Sequence, residues 1–160
     1  MTATDFTPAN PGFAARVRDS FARQPFMAHI GARLTAVEPG FCEIALDHRP
    51  ELTQQHGFVH GGVLASIADS AAGYAAFSLM PAEATVLTVE YKLNLVRPGA
   101  GETMIARGRV VKPGRTLFVV QADVFARKGS AEDLVVTSLQ TLMRLDGRVD
   151  DASGAPGRSR

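Results

Sequence analysis

The sequence predicts an α+β fold in which an antiparallel β-sheet wraps around one long central helix. Three observations support this prediction: six stretches have the composition of strands, a single long helix follows the second of them, and alanines keep that helix thin. One helix cannot cover both faces of so large a sheet, so curling the sheet around the helix is the economical packing. The alanines of the helix are Ala65, Ala68, Ala71, Ala72, Ala75 and Ala76.

The first half of the chain predicts a short amphipathic helix, a hairpin and a loop. Phe13, Val17 and Phe21 recur at helical spacing, and Pro25 ends this helix because proline cannot continue it. Residues 27–31 predict a short turn into the first strand, and Pro39-Gly40 is typical of a hairpin turn. The predicted helix, two strands and polar loop span 13–23, 32–38, 41–47 and 48–60.

The second half predicts the long helix, from Gly61 to about Leu79, and then four strands. Pro81 lies just past the end of the helix, where proline is common. The predicted strands span 85–96, 102–111, 116–126 and 134–145. The first of these alternates between two phases. One phase is apolar, with Leu87, Val89, Tyr91, Leu93 and Leu95, and the other is polar, with Thr88, Glu90, Lys92 and Asn94.

Length and composition place these elements in one domain. The chain has 160 residues, with 46% hydrophobic and 21% charged residues, as in ordinary globular proteins. We expect a flexible leader at 1–10, a single domain at 11–146 and a disordered tail at 147–160, because the tail has almost nothing to bury. A dispersed net charge of +1 gives no basis for nucleic-acid or membrane binding. The single Cys42 and the lack of a signal peptide favour a cytoplasmic protein.

The run His60-Gly61-Gly62, followed by Asp69 on the same helix, carries the functional prediction. Two glycines at a helix N-terminus leave backbone N–H groups bare at the positive end of the helix dipole, so Gly61 and Gly62 can contact a substrate oxyanion. A carboxylate on an Ala-rich helix is costly to bury and needs a reason. Together these groups offer an oxyanion binder and an acid or base, which acyl hydrolysis requires.

The spacing of these groups predicts a homodimer. Gly61 and Asp69 are eight positions apart, or about 12 Å along a helix. An oxyanion donor and a base must both lie roughly 3 Å from the reacting groups, which one helix does not easily achieve. Two helices running antiparallel across a two-fold axis can bring Gly61 of one subunit to Asp69 of the other.

With these features the sequence resembles the hotdog-fold acyl-CoA thioesterases, most closely the phenylacetate-degradation (PaaI-like) branch. The resemblance covers about residues 30–145 and rests on four features: His60-Gly61-Gly62, Asp69 nine positions after the histidine, a strand ending in Arg97-Pro98, and the turn Gly114-Arg115-Thr116. It implies a hotdog fold with a short N-terminal helix. It also implies a homodimer, and many members of the family pair dimers into tetramers.

The resemblance also assigns roles to residues. The Gly61 N–H would donate to the thioester carbonyl, with His60 holding the loop beside it, and Asp69 would be the catalytic carboxylate. Gln54 would help to place the reacting groups, and Thr88 lies where some relatives position water. Asp69 stands where a neighbouring branch has Glu, so general-base and anhydride mechanisms both stay open. Among the basic residues, Arg115 is a candidate to hold coenzyme A phosphates.

Each candidate also has a structural interpretation. Asp69 can form an ion pair, the two glycines can permit close helix packing, and His60 can close the loop by a hydrogen bond. Gln54 can satisfy loop backbone groups, and Thr88 can serve as a good strand former. His56 and His60 have the i, i+4 spacing of a metal pair, but the glycines around them argue against a helix there, so we expect no metal.

The predicted function is therefore hydrolysis of an acyl-CoA thioester. Coenzyme A is part of the substrate, and we expect no bound cofactor. Two alternatives remain: a hotdog hydratase or dehydratase, and a module that binds acyl-CoA without turnover. The acyl group is left open between aryl-acetyl groups and medium-chain or longer acyl groups.

Overall fold

The computed structural model describes residues 6–148 and residue 150. The elements follow the predicted order of short helices, two strands, one long helix and four strands. A single turn of 3-10 helix, Pro50–Leu52, lies in the predicted polar loop. The helices are α1 (Phe13–Ala22), α2 (Pro25–Ile30) and α3 (Gly61–Phe77), and the strands are β1 (Arg33–Glu38), β2 (Phe41–Asp47), β3 (Ala84–Leu95), β4 (Thr103–Lys112), β5 (Leu117–Lys128) and β6 (Ala131–Asp146).

The strands form one six-stranded antiparallel sheet in the order β1-β2-β4-β5-β6-β3. Helix α3 contacts β2, β3, β4, β5 and β6, so the sheet curls around it as predicted. The alanine face of α3 is fully buried, with Ala68, Ala71, Ala72 and Ala75 all inaccessible to solvent. These observations confirm the predicted α+β architecture.

Gly108 explains how closely the helix lies on the sheet. A Cβ atom at this position of β4 would lie 2.3 Å from the Ala71 carbonyl oxygen of α3, which no real side chain tolerates. Only glycine therefore lets the two backbones approach this closely. The contact fixes the middle of α3, which carries Asp69 two positions earlier, against the centre of the sheet.

The region after Pro25 differs from the prediction. Pro25 does end α1, but it also begins α2, and residues 27–31 are mostly helical rather than a turn. The reason is that proline is well suited to the first position of a helix, where its missing N–H is not needed. Met27 and Ile30 are buried, and Gly31 ends the helix in the left-handed conformation at φ 77°.

A bulge in β3 corrects the predicted alternation. The register of β3 against β6 shifts between Thr88 and Glu90, so that Thr88 pairs with the buried Leu142 while Tyr91 pairs with the buried Gln140. Cross-strand partners share a face of the sheet, so Thr88 lies on the helix side with Tyr91, Leu93 and Leu95. The sequence pattern predicts the opposite face of the sheet for Thr88, and this prediction is wrong.

The ends of the predicted elements agree with the structure within about three residues. Residues 1–5, 149 and 151–160, which include most of the predicted tail, lie outside the described residues. Within the predicted leader, Phe6 packs against the core and the Ala9 N–H donates to the Leu79 carbonyl. In the described part of the chain, no helix is long and apolar enough to cross a membrane.

Candidate active site

His60 caps the N-terminus of α3. It has the extended backbone of an N-cap residue (φ −61°, ψ 137°), and its Nδ1 accepts a hydrogen bond from the Gly62 N–H at 2.9 Å. Its own carbonyl accepts from Val63 and Leu64. Within residues 6–148 and 150, the Gly61 N–H has no acceptor. The first turn thus leaves Gly61 as an unoccupied donor at the positive end of the helix dipole.

Gln54 lies beside this helix terminus. The loop that carries it is closed by backbone hydrogen bonds, from the Gln54 N–H to Phe58 and from the Gly57 N–H back to Gln54. The Gln54 side-chain oxygen accepts from the His56 N–H. Gln54 and Gly61 line the same cavity of about 480 Å³, together with Leu64, Leu95 and Arg97.

Asp69 lies half-buried in the third turn of α3. Thr88 Oγ1 of β3 donates to Asp69 Oδ1 at 2.8 Å, a contact that depends on the β3 bulge. Burial raises the pKa of Asp69 above its ordinary value, and the hydrogen bond from Thr88 opposes this rise. No lysine or arginine among the described residues pairs with Asp69. The structural ion-pair interpretation of Asp69 therefore has no support here.

A second cavity, of about 400 Å³, opens beside Asp69 and Thr88. Its lining includes four residues that the sequence did not single out: Ser20 and Gln24 near α1 and α2, and Gly73 and Tyr74 of α3. A hydrogen bond joins Gln24 to Tyr74 across 50 positions of sequence, so no local pattern indicates it. The only sequence feature that marks this region is the glycine inside the alanine-rich helix.

The predicted site residues thus fall into two pairs within one chain. Gly61 and Gln54 line one cavity, and Asp69 and Thr88 line the other. Neither cavity contains both the amide donor and the carboxylate, which are separated by about 12 Å along the helix axis. Both residues lie on the single continuous helix α3, as the predicted separation requires.

Two predicted binding residues have different surroundings. The Gly62 N–H is occupied by His60, so in this structure Gly61 is the available donor of the two. Arg115 is exposed in the turn between β4 and β5 and lines neither cavity. Arg97, at the end of β3, lines the Gly61 cavity and pairs with Asp133.

The i, i+4 spacing of His56 and His60 does not correspond to a shared helix. His56 lies in the loop turn and His60 is a helix cap, so the two do not share a helix face. Across the described residues, no group of three or more His, Cys, Asp or Glu side chains is arranged to hold a metal ion.

Comparison with known proteins shows similarity to thioesterases. The thioesterase superfamily profile matches residues 56–132, which include α3 and both pairs of site residues except Gln54. A solved structure of a thioesterase family protein from Silicibacter pomeroyi is 51% identical, covers 85% of this chain and 100% of that chain, and has a TM-score of 0.83.

Two further relatives are more distant. The PaaI protein of the Escherichia coli phenylacetic acid degradation operon shares the fold, with a TM-score of 0.78 at 20% identity over 87% of this chain and 97% of that chain. The medium/long-chain acyl-CoA thioesterase YigI of Escherichia coli is 25% identical over 115 residues, which cover 62% of this chain and 74% of the relative. The sheet is wrapped around the central helix as in these structures, and the sequence matches the family model and its relatives. The chain therefore has the hotdog fold and belongs to the thioesterase superfamily.

Proposed function

We propose that the protein hydrolyses an acyl-CoA thioester to the free acid and coenzyme A. The observation that carries this proposal is the pairing, on one helix, of an unoccupied amide at the N-terminus with a half-buried carboxylate that has no cationic partner among the described residues. The similarity to an acyl-CoA thioesterase supports the choice of thioester.

The Gly61 N–H is the proposed oxyanion donor. When a nucleophile attacks the thioester carbonyl, negative charge develops on its oxygen, and an oriented amide stabilises that charge by about 3 kcal/mol. His60 holds the first turn in place through its bond to Gly62, so the Gly61 N–H is already oriented before the substrate arrives. Gln54, in the same cavity, is placed to orient the thioester.

Asp69 is the proposed base or nucleophile. As a base, it takes a proton from water, whose oxygen attacks the carbonyl carbon; the C–S bond then breaks, and the coenzyme A thiolate takes up a proton. As a nucleophile, its carboxylate attacks the carbonyl carbon and expels the coenzyme A thiolate, which takes up a proton; water then hydrolyses the resulting mixed anhydride, which releases the free acid and restores the carboxylate. Thr88 orients the carboxylate in either case by donating to Oδ1. Both routes remain open.

Completion of the site requires a second copy of the chain. The β3 strand is an edge of the sheet and exposes apolar side chains, including Tyr91 at 46% and Leu95 at 58%. Long apolar edges of this kind are normally covered by another strand. We infer that two copies pair so that Gly61 of each faces Asp69 of the other, giving two equal sites. Association of two such dimers into a tetramer stays a prediction.

Coenzyme A would extend from the thioester to cationic side chains at the surface. Arg97 lines the Gly61 cavity of its own chain, whereas Arg115 lines neither cavity. Arg115 can therefore hold coenzyme A phosphates only if the dimer brings it to the partner's site. Arg97 is the better-placed candidate within one chain.

The direct test is release of free thiol from a panel of acyl-CoA thioesters, measured with a thiol reagent. The proposal expects turnover by the wild-type protein and its loss in Asp69→Asn. Tight acyl-CoA binding without thiol release would instead support a binding module. The panel includes an enoyl-CoA, and a decrease in the absorbance of its double bond without thiol release would support a hydratase. Absence of thiol release from every thioester would overturn the proposal.

A further inference from the structure

The free edge of β3 is a template for another strand. In the sheet order β3 is the last strand, and its neighbour is β6. The Val96 N–H donates to the Val135 carbonyl of β6, and alternate residues of an antiparallel strand bond to the same neighbour. Tyr91, Leu93 and Leu95 therefore direct their N–H and C=O groups away from β6, toward the free edge. An extended, exposed edge of this kind favours pairing with a further strand.

Two opposite charges flank Tyr91 on this strand. Tyr91 lies on the helix side of the sheet, so its neighbours Glu90 and Lys92 lie on the outer face, where both are exposed. Thr141 donates to the Glu90 carboxylate, and Lys92 Nζ donates to Asn94 Oδ1 at 2.8 Å. Neither charge forms an ion pair with any of the described residues. The free edge thus presents one acid and one base, two positions apart, that the chain itself does not neutralise.

A second copy of the chain is the partner that these charges fit. When a strand pairs antiparallel with its own copy, a two-fold axis normal to the sheet keeps each side chain on its face. With the axis at Tyr91, Glu90 lies directly opposite the partner's Lys92, and Lys92 lies opposite the partner's Glu90. A shift of the axis by one residue instead brings the two copies of Glu90, or the two copies of Lys92, opposite each other. Like charges in this position are destabilising, so the charges select the axis at Tyr91.

The register that the charges select also joins the two halves of the proposed site. One residue of β3 is unpaired at the bulge after Thr88, so the pairing beyond the bulge advances by one, and Leu93 lies opposite the partner's Thr88. Leu95 is the next residue on that face, about 7 Å farther along the strand. Its side chain lies against Gly61, where a Cβ atom would be 3.0 Å from Leu95 Cδ1. Because Thr88 donates to Asp69, this register brings Gly61 of one copy toward Asp69 of the other.

We propose that Glu90 and Lys92 set the register in which two copies of the chain join along β3, and that this register completes both active sites. The second half of this proposal rests on the proposed function, whereas the interface itself is measurable without substrate. Apolar side chains of the strand supply contact area in several alignments. The two ion pairs select one alignment among them, because each neighbouring alignment places like charges together.

Disulfide cross-linking measures the register directly. Residues opposite each other in an antiparallel pair have Cα atoms about 4.5–5.5 Å apart, which is within the range of a disulfide. Glu90→Cys and Lys92→Cys chains, co-expressed with different tags and mildly oxidised, should form a linked dimer that keeps one of the two ion pairs. Neither variant should link to its own copy when expressed alone. Cys42 is buried, so the wild-type protein is the control that forms no link.

Two results of the cross-linking would overturn the proposal. A link between two Glu90→Cys chains, or between two Lys92→Cys chains, would place the axis at that residue instead of at Tyr91. Absence of a link in the co-expressed pair as well would show that the two β3 strands do not lie opposite each other in this register.

Charge reversal tests whether the two ion pairs hold the register. Glu90→Lys chains carry only positive charge at the two positions, and Lys92→Glu chains carry only negative charge. Each variant should dissociate from its own copy at about tenfold higher protein concentration or more, measured by sedimentation over a dilution series. An equal mixture of the two variants should associate as the wild-type protein does, because both opposed pairs then have opposite signs. The double variant Glu90→Lys/Lys92→Glu should do the same.

The matched controls make the same charge changes away from β3. Glu38→Lys on β1 and Lys112→Glu on β4 alter exposed residues and should keep wild-type association. Wild-type association of the single variants at β3, or a mixture that associates no better than its components, would overturn the proposal.

Association and turnover together separate failure of this proposal from failure of the proposed function. If the cross-links and the charge variants follow the predicted register but no thioester releases thiol, the interface stands and the proposed hydrolysis fails. If the wild-type protein releases thiol while association is insensitive to Glu90 and Lys92, the hydrolysis stands and this proposal fails. If both are correct, thiol release by each single charge variant is low at concentrations where it is dissociated and returns when the two variants are mixed.

Discussion

The two functional regions of α3 are built in different ways. At the N-terminus, the candidate group is the Gly61 backbone N–H, oriented by the local cap that His60 makes with Gly62. In the middle, the candidate group is the Asp69 side chain, oriented by a hydroxyl from β3, 19 positions away in sequence. The orientation of the Gly61 N–H is fixed by neighbouring residues, whereas the orientation of the Asp69 side chain depends on tertiary structure.

This difference determines how each region can be tested. A side-chain substitution removes the Asp69 carboxylate directly. No side-chain substitution removes a backbone N–H, so the Gly61 region needs a residue that lacks the donor. The comparison also shows that a single rigid helix separates the two groups by about 12 Å, so each chain offers two halves of the proposed site.

The largest expected effect is on the carboxylate region. Asp69→Asn keeps the shape of the side chain and its contact with Thr88, but removes the proposed base or nucleophile. We expect kcat for thioester hydrolysis to fall by about 10²–10⁴-fold. Asp47→Asn, at an exposed carboxylate paired with Arg33, is the matched control and should keep wild-type kcat. Near-normal turnover by Asp69→Asn would contradict the assignment.

The stability of the same variant separates catalysis from folding. Burial raises the pKa of Asp69, so the folded protein binds this proton more readily than the unfolded chain does. The charged carboxylate therefore destabilises the fold above that pKa, and this effect disappears as the pH falls through it. Asp69→Asn should accordingly unfold at the same or a higher temperature than wild type at pH 7. A large decrease in melting temperature would attribute the lost activity to misfolding.

The next largest effect is on the amide region. Gly61→Pro removes the proposed donor, and the backbone is suited to it, since Gly61 is the first residue of α3 and His60 has the extended conformation that precedes proline. We expect kcat to fall by about 10²–10³-fold. Gly61→Ala is the matched control, because it adds the same Cβ beside Leu95 but keeps the N–H. Equal losses in the two variants would indicate crowding rather than loss of a donor.

A smaller effect is expected where the two elements meet, at Thr88. The Thr88 hydroxyl favours the charged form of Asp69, so Thr88→Val should raise the pKa of Asp69 further. Because the proposed reaction needs the carboxylate ionised, the acidic limb of the kcat/KM profile should move to higher pH, with kcat falling by about tenfold at most. Thr88→Ser keeps the hydroxyl and should keep the wild-type profile. An unmoved limb in Thr88→Val would mean that this contact does not tune the reacting group.

The smallest effect is expected at the helix cap. His60→Ala removes the acceptor for Gly62 and should destabilise the fold by about 1 kcal/mol, with a few-fold loss of kcat/KM as the first turn loosens. Asparagine is a strong N-cap, so His60→Asn should restore both stability and activity. Thermal melts and thiol-release assays on the two variants distinguish a cap from a catalytic group: restored stability without restored activity would assign His60 a direct role.

Much of the fold could be predicted because its signals are local. The bounds of β2 and the start of α3 agree with the prediction, since a hairpin turn and a glycine pair mark them. The bulge after Thr88 could not be predicted, because the alternation of polar and apolar residues continues through it and only the pairing with β6 reveals the shift. The sequence does not predict helix α2, because Pro25 marks the end of α1 and no other local signal shows that it also begins a new helix.

The candidate site, like the fold, contains residues with a local sequence signal and residues that only tertiary contacts reveal. Gly61 and Asp69 could be selected from a motif and a spacing on one helix. The contact between Thr88 and Asp69 contradicts the simple strand pattern, which placed Thr88 on the polar face. Gln24 and Tyr74 meet across 50 positions and are recognisable only once the junction between α1 and α2 lies beside α3. The catalytic roles of all these residues remain predictions.

The most direct test of the account mixes two inactive variants. Gly61→Pro and Asp69→Asn chains, co-expressed with different tags and purified together, should form mixed assemblies in which some sites combine an intact amide from one chain with an intact carboxylate from the other. Random pairing predicts that thiol release returns to about a quarter of the wild-type rate per chain. If the mixed assemblies stay as inactive as each variant alone, the two halves do not meet across subunits, and the proposed shared site is contradicted.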